Sequence, residues 1–219
     1  MIFTIGGIKG GSGKTTVAVN LTLRLARLPP DVLLVDADDQ ETATDFTAWR
    51  DETLNGATNY TAVKLTGESV RSQILKLRDK YDYVVIDTGG RDTTSQRAAL
   101  SVSDVYLVPF NPRSFDIWTL QRVEQLILEI QAVRTVPLRA FAFLNRADFK
   151  GSDNRDAADL LSRSEPLLFL DTSLGNRKAF SHASARGLSV TELTPPDPKA
   201  VAETERLFQA LLTHTHPRP

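Results

Sequence analysis

The chain has 219 residues, of which 41% are hydrophobic and 24% are charged, as in ordinary soluble globular proteins. Lys and Arg number 26 against 27 Asp and Glu. The net charge of −1 excludes a strongly basic surface over the whole molecule, so any binding to nucleic acid must be local. The absence of cysteine excludes disulfides, thiolate zinc sites and cysteine-bound iron–sulfur clusters. This length suits one α/β domain, which we expect over 1–213, with 214–219 as a flexible tail.

Six short apolar runs rich in β-branched residues predict strands buried on both faces, because their hydrophobic residues are consecutive rather than alternating. They lie at 2–5, 32–37, 83–88, 105–110, 139–145 and 166–171. Helical periodicity is found at 15–28, 67–80, 93–102, 116–133 and about 198–213. The "LPPD" stretch at 28–31 predicts the end of the first helix, because proline cannot continue it. The alternation predicts an α/β fold with a mainly parallel twisted sheet and helices on both faces.

The segment after the first strand, "GGIKGGSGKTT" at 6–16, has the composition of a phosphate-binding loop. Gly13, Lys14 and Thr15 match the end of the G-x-x-x-x-G-K-[ST] pattern, whereas Ile8 replaces its first glycine. Such a loop directs backbone N–H groups at phosphates, with Lys14 along the β- and γ-phosphates and the Thr15 hydroxyl on Mg²⁺. The other residues predicted to bind the nucleotide here are Gly10, Gly11, Ser12 and Thr16. The alternative is a glycine-rich turn without a ligand.

Carboxylates stand at the ends of two further strands. Asp87 comes three residues before Gly90, as in a Walker B segment, where the aspartate typically reaches Mg²⁺ through a water. Its alternative role is to cap the next helix. Asp36, Asp38 and Asp39 follow the second strand, and their mutual repulsion favours a nearby cation. Alternation predicts that Asp36 and Asp38 face one side and Asp39 the other.

Together, "KGGSGKTT", "DADDQ" and "DTGG" resemble the ParA/MinD family of deviant Walker A ATPases, most of all its small ParA-type partition proteins. Weaker similarities at 108–112, 143–146 and 177–193 extend the resemblance over most of the chain. The resemblance implies a P-loop NTPase fold of the deviant Walker A type, ATP and Mg²⁺ as cofactors, and an ATPase with slow basal turnover. Asp39 stands where the family usually has proline.

The resemblance also assigns roles to single residues. Lys9 would be the signature lysine that crosses a dimer interface to the phosphates bound by the partner; a solvated loop lysine is the alternative. Asp38 would position the attacking water, while Asp36 and Asp87 would act on the metal side. Asn145 would bind the adenine edge, unless it is a buried asparagine that satisfies a strand end.

ParA-type relatives bind DNA without sequence specificity through basic residues exposed on the ATP-bound dimer. The candidate contacts here are Arg177, Lys178 and Arg186, with His182 among them, in a stretch without acidic residues between 172 and 191. A solvated polar face explains this stretch about as well.

The expected function is a cytoplasmic, nucleoid-associated ATPase that forms a homodimer with ATP and segregates or positions plasmid, chromosome or other cargo. A centromere-binding or cargo-adaptor protein would stimulate hydrolysis and release it from DNA. The alternative is a nucleotide-gated scaffold or regulator that binds only proteins, as in secretion or envelope machinery; a metabolic kinase is a distant third. No basic amphipathic helix follows 198–213 and no run approaches about 18 apolar residues, so no membrane binding is expected.

Overall fold

A computed structural model describes residues 1–27, 31–114, 117–148 and 153–215. The strands are β1 (Ile2–Ile5), β2 (Val32–Ala37), β3 (Thr61–Lys64), β4 (Tyr83–Thr88), β5 (Val105–Phe110), β6 (Arg139–Ala147) and β7 (Leu168–Gly175). The α-helices are α1 (Lys14–Leu25), α2 (Thr42–Thr53), α3 (Ser69–Leu77), α4 (Thr94–Leu100), α5 (Ile117–Ala132), α6 (Asp153–Leu161), α7 (Lys178–Ser184) and α8 (Pro198–Thr215).

The seven strands form one parallel sheet in the order β3-β2-β4-β1-β5-β6-β7. The predicted α/β fold is confirmed. Because all strands run the same way, their carboxyl ends open at one edge of the sheet, and the segments that follow β1, β2, β4 and β6 meet there.

Helices cover both faces of the sheet. One face packs against α1, α2 and α8, through a cluster that includes Phe3, Leu21 and Phe208. The opposite face packs against α3 and α4 at one end and against α5 and α6 at the other. The sheet is therefore a rigid middle layer, and its open edge positions the functional site.

Four strands, β1, β2, β4 and β5, have the predicted bounds, whereas β6 ends two residues later and β7 begins two residues later than predicted. The predicted stop at 28–31 falls mostly on residues outside those described, and α1 already ends at Leu25. The last helix continues through His214 and Thr215, and Thr215 is buried, so these two residues belong to α8 rather than to a tail. Residues 216–219 lie outside the described residues.

Throughout the described ranges, no helix is both long enough and apolar enough to cross a lipid bilayer.

Candidate functional site

The loop between β1 and α1 depends on glycine conformations. Gly11 and Gly13 have φ angles of +74° and +88°, in the left-handed region that glycine enters at little cost. A Cβ atom on Gly13 would also lie only 2.3 Å from Nδ2 of Asn145. Gly13 is the N-cap of α1 and has no capping side chain, so the first N–H groups of the helix are available to an anion.

Lys14 is held inside this loop. Its side chain is 6% exposed, and its Nζ donates a hydrogen bond of 3.1 Å to the carbonyl oxygen of Lys9. Burial lowers the pKa of Lys14, and the nearby carboxylates of Asp87 and Asp38 oppose this shift. A partly desolvated ammonium at the start of a helix is suited to bind a multiply charged phosphate.

Asp87 lies opposite this lysine at the end of β4. It is completely buried, and neither carboxylate oxygen has a hydrogen-bond partner among the residues that the structure describes. Burial raises its pKa to about 8; the nearby Thr15 hydroxyl and the Lys14 ammonium act in the opposite direction but do not offset it. An ionised carboxylate that is buried in this way destabilises the fold unless a cation binds beside it.

Asp87 and Thr15 therefore fit a Mg²⁺ ion, because their side chains lie close together and both offer the oxygen ligands that this ion prefers. Within the described part of the chain, no group of three or more His, Asp or Glu side chains could hold a metal. Mg²⁺ usually keeps several waters and takes few protein ligands, and Asp87 and Thr15 would be two such ligands. The alternative of a helix-capping role for Asp87 is not observed: the side chain of Thr93 caps α4.

Asp36 is adjacent to Asp87 in the register of β2 and β4, but its oxygens are already engaged. Oδ2 accepts hydrogen bonds from the backbone N–H and the hydroxyl of Thr44 (2.7 and 2.8 Å), and Oδ1 accepts one from the N–H of Asp38 (3.1 Å). Asp36 thus accepts a backbone hydrogen bond from the first turn of α2 and caps this helix. Three of its roughly four acceptor positions are occupied, so a metal role for Asp36 would require this cap to rearrange.

A cavity of about 750 Å³ occupies the open edge of the sheet. Its lining includes most of the predicted nucleotide-binding residues, Gly10, Gly11, Gly13, Lys14, Thr15 and Thr16. Asp38 and Asp39 both line it, whereas Asp36 lies at a second, smaller cavity between α2 and β3. The expectation that Asp36 and Asp38 share a side and Asp39 opposes them is wrong, because β2 ends at Ala37 and strand alternation does not continue into the turn.

The turn after β2 and the turn after β4 contact each other in this cavity. Oδ1 of Asp38 accepts a hydrogen bond from the N–H of Gln40 (3.2 Å) and lies 3.0 Å from where a Cβ atom on Gly89 would be. A Cβ atom on Gly90 would lie 2.7 Å from Cα of Gly10. The segment after Asp87 therefore packs directly on the phosphate loop, so a ligand in the loop and a shift of Gly90 affect each other.

Asn145, at the end of β6, contacts the loop from the other side. It is buried, and its Nδ2 donates a hydrogen bond of 2.6 Å to the carbonyl oxygen of Ser12. Asn145 is thus buried and satisfies a backbone carbonyl, but this carbonyl lies in the phosphate loop and not at a strand end. Its contact with adenine stays a prediction. The hydroxyl of Ser12 is buried without a hydrogen-bond partner in the described residues, which leaves it available to a ligand.

The structure separates the three candidate DNA contacts. Lys178 and Arg186 are exposed. Arg177 instead forms a two-pronged ion pair with Glu203 on α8, with side chains only 23% and 15% exposed. A guanidinium engaged in this way is a poor phosphate contact, so the structure argues against Arg177 as a DNA-binding residue.

Sequence patterns missed two features of the site. Thr44, the partner of Asp36, lies in a polar helix that the hydrophobic periodicity does not predict. Arg146 lines the cavity with a φ of +56°. The only sequence signal for it is the weak family similarity at 143–146, which assigns no role to this residue.

A lysine desolvated at a helix N-terminus, facing an unpartnered carboxylate at the edge where parallel strands end, is typical of P-loop nucleotide-binding proteins. Fold and site together place the chain in that class. Residues 3–190 match the model of the CobQ/CobB/MinD/ParA nucleotide binding domain, and the chain belongs to this family. The resemblance to ParA/MinD proteins that the motifs indicate is thus confirmed.

Similar proteins span nearly the whole chain. The "Maintenance of carboxysome distribution protein A" of Halothiobacillus neapolitanus is 26% identical over 212 residues, which cover 95% of this chain and 94% of that protein. Apo McdA from Cyanothece has a TM-score of 0.78 at 19% identity, over 96% of this chain and 98% of that one. A plasmid partition protein of Borrelia burgdorferi bound to AMPPNP has a TM-score of 0.74 at 20% identity, over 97% and 98%. These two structures share the fold.

Proposed function

We propose that this protein is an ATPase that dimerises with ATP, binds DNA without sequence specificity and positions a cargo. The observation that carries the nucleotide part is the buried, unpartnered carboxylate of Asp87 opposite the buried ammonium of Lys14. Burying either charged group alone is unfavourable, and a magnesium–triphosphate bound between them would compensate both charges.

In this proposal, different residues of the site bind the phosphates, the metal and the attacking water. Backbone N–H groups from Gly10 to Thr15 and the Lys14 ammonium bind the phosphates. Mg²⁺, held by Asp87 and Thr15 when bound, supplies positive charge at the β- and γ-phosphates. Asp38 lines the same cavity and orients the attacking water, so Asp38→Ala should bind ATP normally and hydrolyse it poorly.

Lys9 connects the nucleotide to a second copy of the chain. Its carbonyl accepts the hydrogen bond from Lys14, and its carbonyl carbon would lie 3.1 Å from a Cβ atom on Gly90. The backbone of Lys9 thus lies beside both the Lys14 side chain and the turn that contains Gly90. In the dimer, the Lys9 side chain of each protomer reaches the phosphates of the other and offsets the repulsion between two facing triphosphates.

The DNA-binding surface is built on α7. Lys178 and His182 are exposed one turn apart on this helix, and exposed Arg186 follows it. Together these side chains form a basic strip suited to a phosphate backbone.

Contacts link this strip to the nucleotide. α2 begins just after Asp38, and its Arg50 donates a hydrogen bond to the carbonyl of Gly187 (3.0 Å) and pairs with Glu192 (2.9 Å). Thr53, at the end of α2, donates one to the carbonyl of Arg186 (2.9 Å). These contacts give α2 a direct physical connection between the turn after β2 and the segment that holds the basic strip.

Cargo positioning is supported by the names of the relatives, which concern carboxysome distribution in one case and plasmid partition in another. A cargo-adaptor or centromere-binding partner would complete the cycle by stimulating hydrolysis. The expected location is the cytoplasm, on the nucleoid.

The test is retention of non-specific duplex DNA with ATP and with ADP across a salt series. We expect retention with ATP only, and a lower salt slope in Lys178→Ala/Arg186→Ala, by about 1 for each lost phosphate contact. Lys80→Ala/Arg163→Ala removes two other exposed cations and serves as the control. Absence of retention with both nucleotides contradicts DNA binding and leaves the scaffold that binds only proteins. Equal retention with ATP and ADP contradicts the control of DNA binding by the nucleotide.

A further inference from the structure

The outer sides of α3 and α4 form a groove, which we call the α3–α4 groove. Both helices pack their inner sides against the sheet, through Val70 and Ile74 of α3 and Ala99 of α4. They begin side by side, because the backbone N–H of Gly67 donates a hydrogen bond of 2.8 Å to the hydroxyl of Ser95. The cavity between their outer sides has a volume of about 850 Å³, compared with about 750 Å³ at the open edge of the sheet. The groove is therefore large enough to hold side chains of another molecule.

The groove combines short side chains with an exposed leucine. Thr94, Ala98 and Ser101 line it from the α4 side; they are four and three residues apart, so they share one side of that helix. Leu75 lines it from α3 and is 39% exposed. Short side chains on one wall let another backbone approach closely, and Leu75 offers an apolar contact there. This combination suits the apolar face of another helix.

The groove also carries positive charge. Arg71 and Lys76 are exposed and line it from α3. Within the described ranges, neither of them forms an ion pair. Arg97, on the α4 wall, is instead neutralised by Asp92 (2.6 Å) and Glu129 (2.8 Å). The cations that remain available to a partner are therefore those of α3.

The length of the groove defines the size of its occupant. On α3, the lining residues run from Glu68 to Lys76, which is eight steps and about 12 Å along the helix axis. A partner helix of two to three turns would cover about this length. The cavity at the open edge of the sheet is lined as far as Thr93, whereas the lining of the groove on α4 starts at Thr94. The two cavities share no described lining residue, so an occupant of the groove leaves room for a nucleotide.

We propose that the α3–α4 groove docks an amphipathic helix of a partner protein, which places apolar residues on Leu75 and acidic residues beside Arg71 and Lys76. These two cations come four residues before and one residue after Leu75, so carboxylates next to the apolar stripe of the partner would meet them. Burial of the apolar contact supplies affinity, and the cations select an acidic partner over a basic one. The proposal does not depend on nucleotide binding.

Fluorescence anisotropy with two labelled synthetic peptides tests the proposal on the full chain. Both peptides have about 14 residues and leucines at helical spacing; one carries glutamates beside the leucines, and the other carries lysines at the same positions. The acidic peptide should bind at least about tenfold more tightly than the basic one, and added salt should reduce this ratio. Saturating ATP with Mg²⁺ should leave the affinity unchanged, so a failure of the proposed ATP binding would not affect this result.

Charge reversal in the groove should reverse the preference. Arg71→Glu/Lys76→Glu should weaken binding of the acidic peptide by at least about tenfold and strengthen binding of the basic one. Lys80→Glu/Arg163→Glu makes the same change in net charge at exposed positions outside the groove and should behave as the wild type. Leu75→Ala should weaken the acidic peptide about fivefold to tenfold while leaving its advantage over the basic peptide in place.

Four results would overturn the proposal. The first is no binding of the acidic peptide up to about 1 mM, and the second is equal affinity for the two peptides. The third is an equal loss in Arg71→Glu/Lys76→Glu and in the control pair, which would indicate a general effect of net charge. The fourth is another occupant: duplex DNA whose retention only the groove variant loses, or self-association of the chain that Leu75→Ala abolishes.

Discussion

Replacing Asp87 by asparagine should stabilise the protein when nucleotide and metal are absent. The Asp87 carboxylate is fully buried and, among the described residues, has no hydrogen-bond partner; burial raises its pKa to about 8. Asparagine has nearly the same shape and no charge. The substitution therefore removes an electrostatic cost without leaving a cavity.

The magnitude follows from the two pKa values of Asp87, 3.8 as the reference and about 8 in the folded protein. At pH values between these two pKa values, Asp87 is protonated in the folded protein but ionised in the unfolded chain. The contribution of Asp87 to the free energy of unfolding is therefore greatest below the lower pKa and falls as pH rises toward the higher one. At about 1.4 kcal/mol per pKa unit, the loss reaches about 2 kcal/mol at pH 5 and about 4 kcal/mol at pH 7. Asp87→Asn abolishes this loss.

Urea unfolding with EDTA at both pH values measures the effect. The stability advantage of Asp87→Asn should grow by about 2–3 kcal/mol between pH 5 and pH 7. Asp159→Asn, at an exposed position of α6, controls for a general effect of lost charge. If Asp87→Asn has the same effect at both pH values, or is destabilising at both, the carboxylate is satisfied in the folded protein and the reasoning is refuted.

Three further substitutions test contacts of the site. Gly90→Ala places a methyl 2.7 Å from Cα of Gly10 and should cost about 1–3 kcal/mol in urea unfolding; a neutral result means that the two turns are not packed together. Glu192→Ala leaves the buried Arg50 guanidinium without its carboxylate and should cost about 3 kcal/mol, with Glu192→Gln milder; equal stability of the two contradicts a buried ion pair. Asn145→Ala removes the bond to the phosphate loop, which should cost about 1–2 kcal/mol and weaken ATP binding in titrations; unchanged binding argues against a loop-positioning role.

The central strands are predictable because a strand covered on both faces needs consecutive apolar residues. β3 lacks this signal, since it lies at the edge of the sheet and its residues, TAVK, are largely exposed. α2 lacks the helical signal for a similar reason: its buried residues are only Ala43, Phe46 and Arg50, and one of them is an arginine. Elements that bury little leave little hydrophobic pattern in the sequence.

The phosphate loop and Asp87 are predictable because each motif is contiguous in sequence and its backbone geometry is local. The other contacts of the site join distant segments. Asn145 reaches a carbonyl 133 positions away, and the bulge at Arg146 arises from the register of β6 with β7. The role of Asp36 depends on where α2 begins. Packing between elements decides such roles, and no local pattern records them.

The central claim is that ATP assembles two chains, each placing Lys9 on the phosphates of the other. Sedimentation with Mg²⁺ and a non-hydrolysable ATP analogue, beside an analogue titration, tests it most directly. The wild type should sediment at twice the 24.2 kDa of one chain, and Lys9→Ala should remain a monomer while keeping most of its affinity for the analogue. A Lys9→Ala protein that still dimerises with the analogue, or a wild type that stays monomeric when saturated with it, would contradict the account.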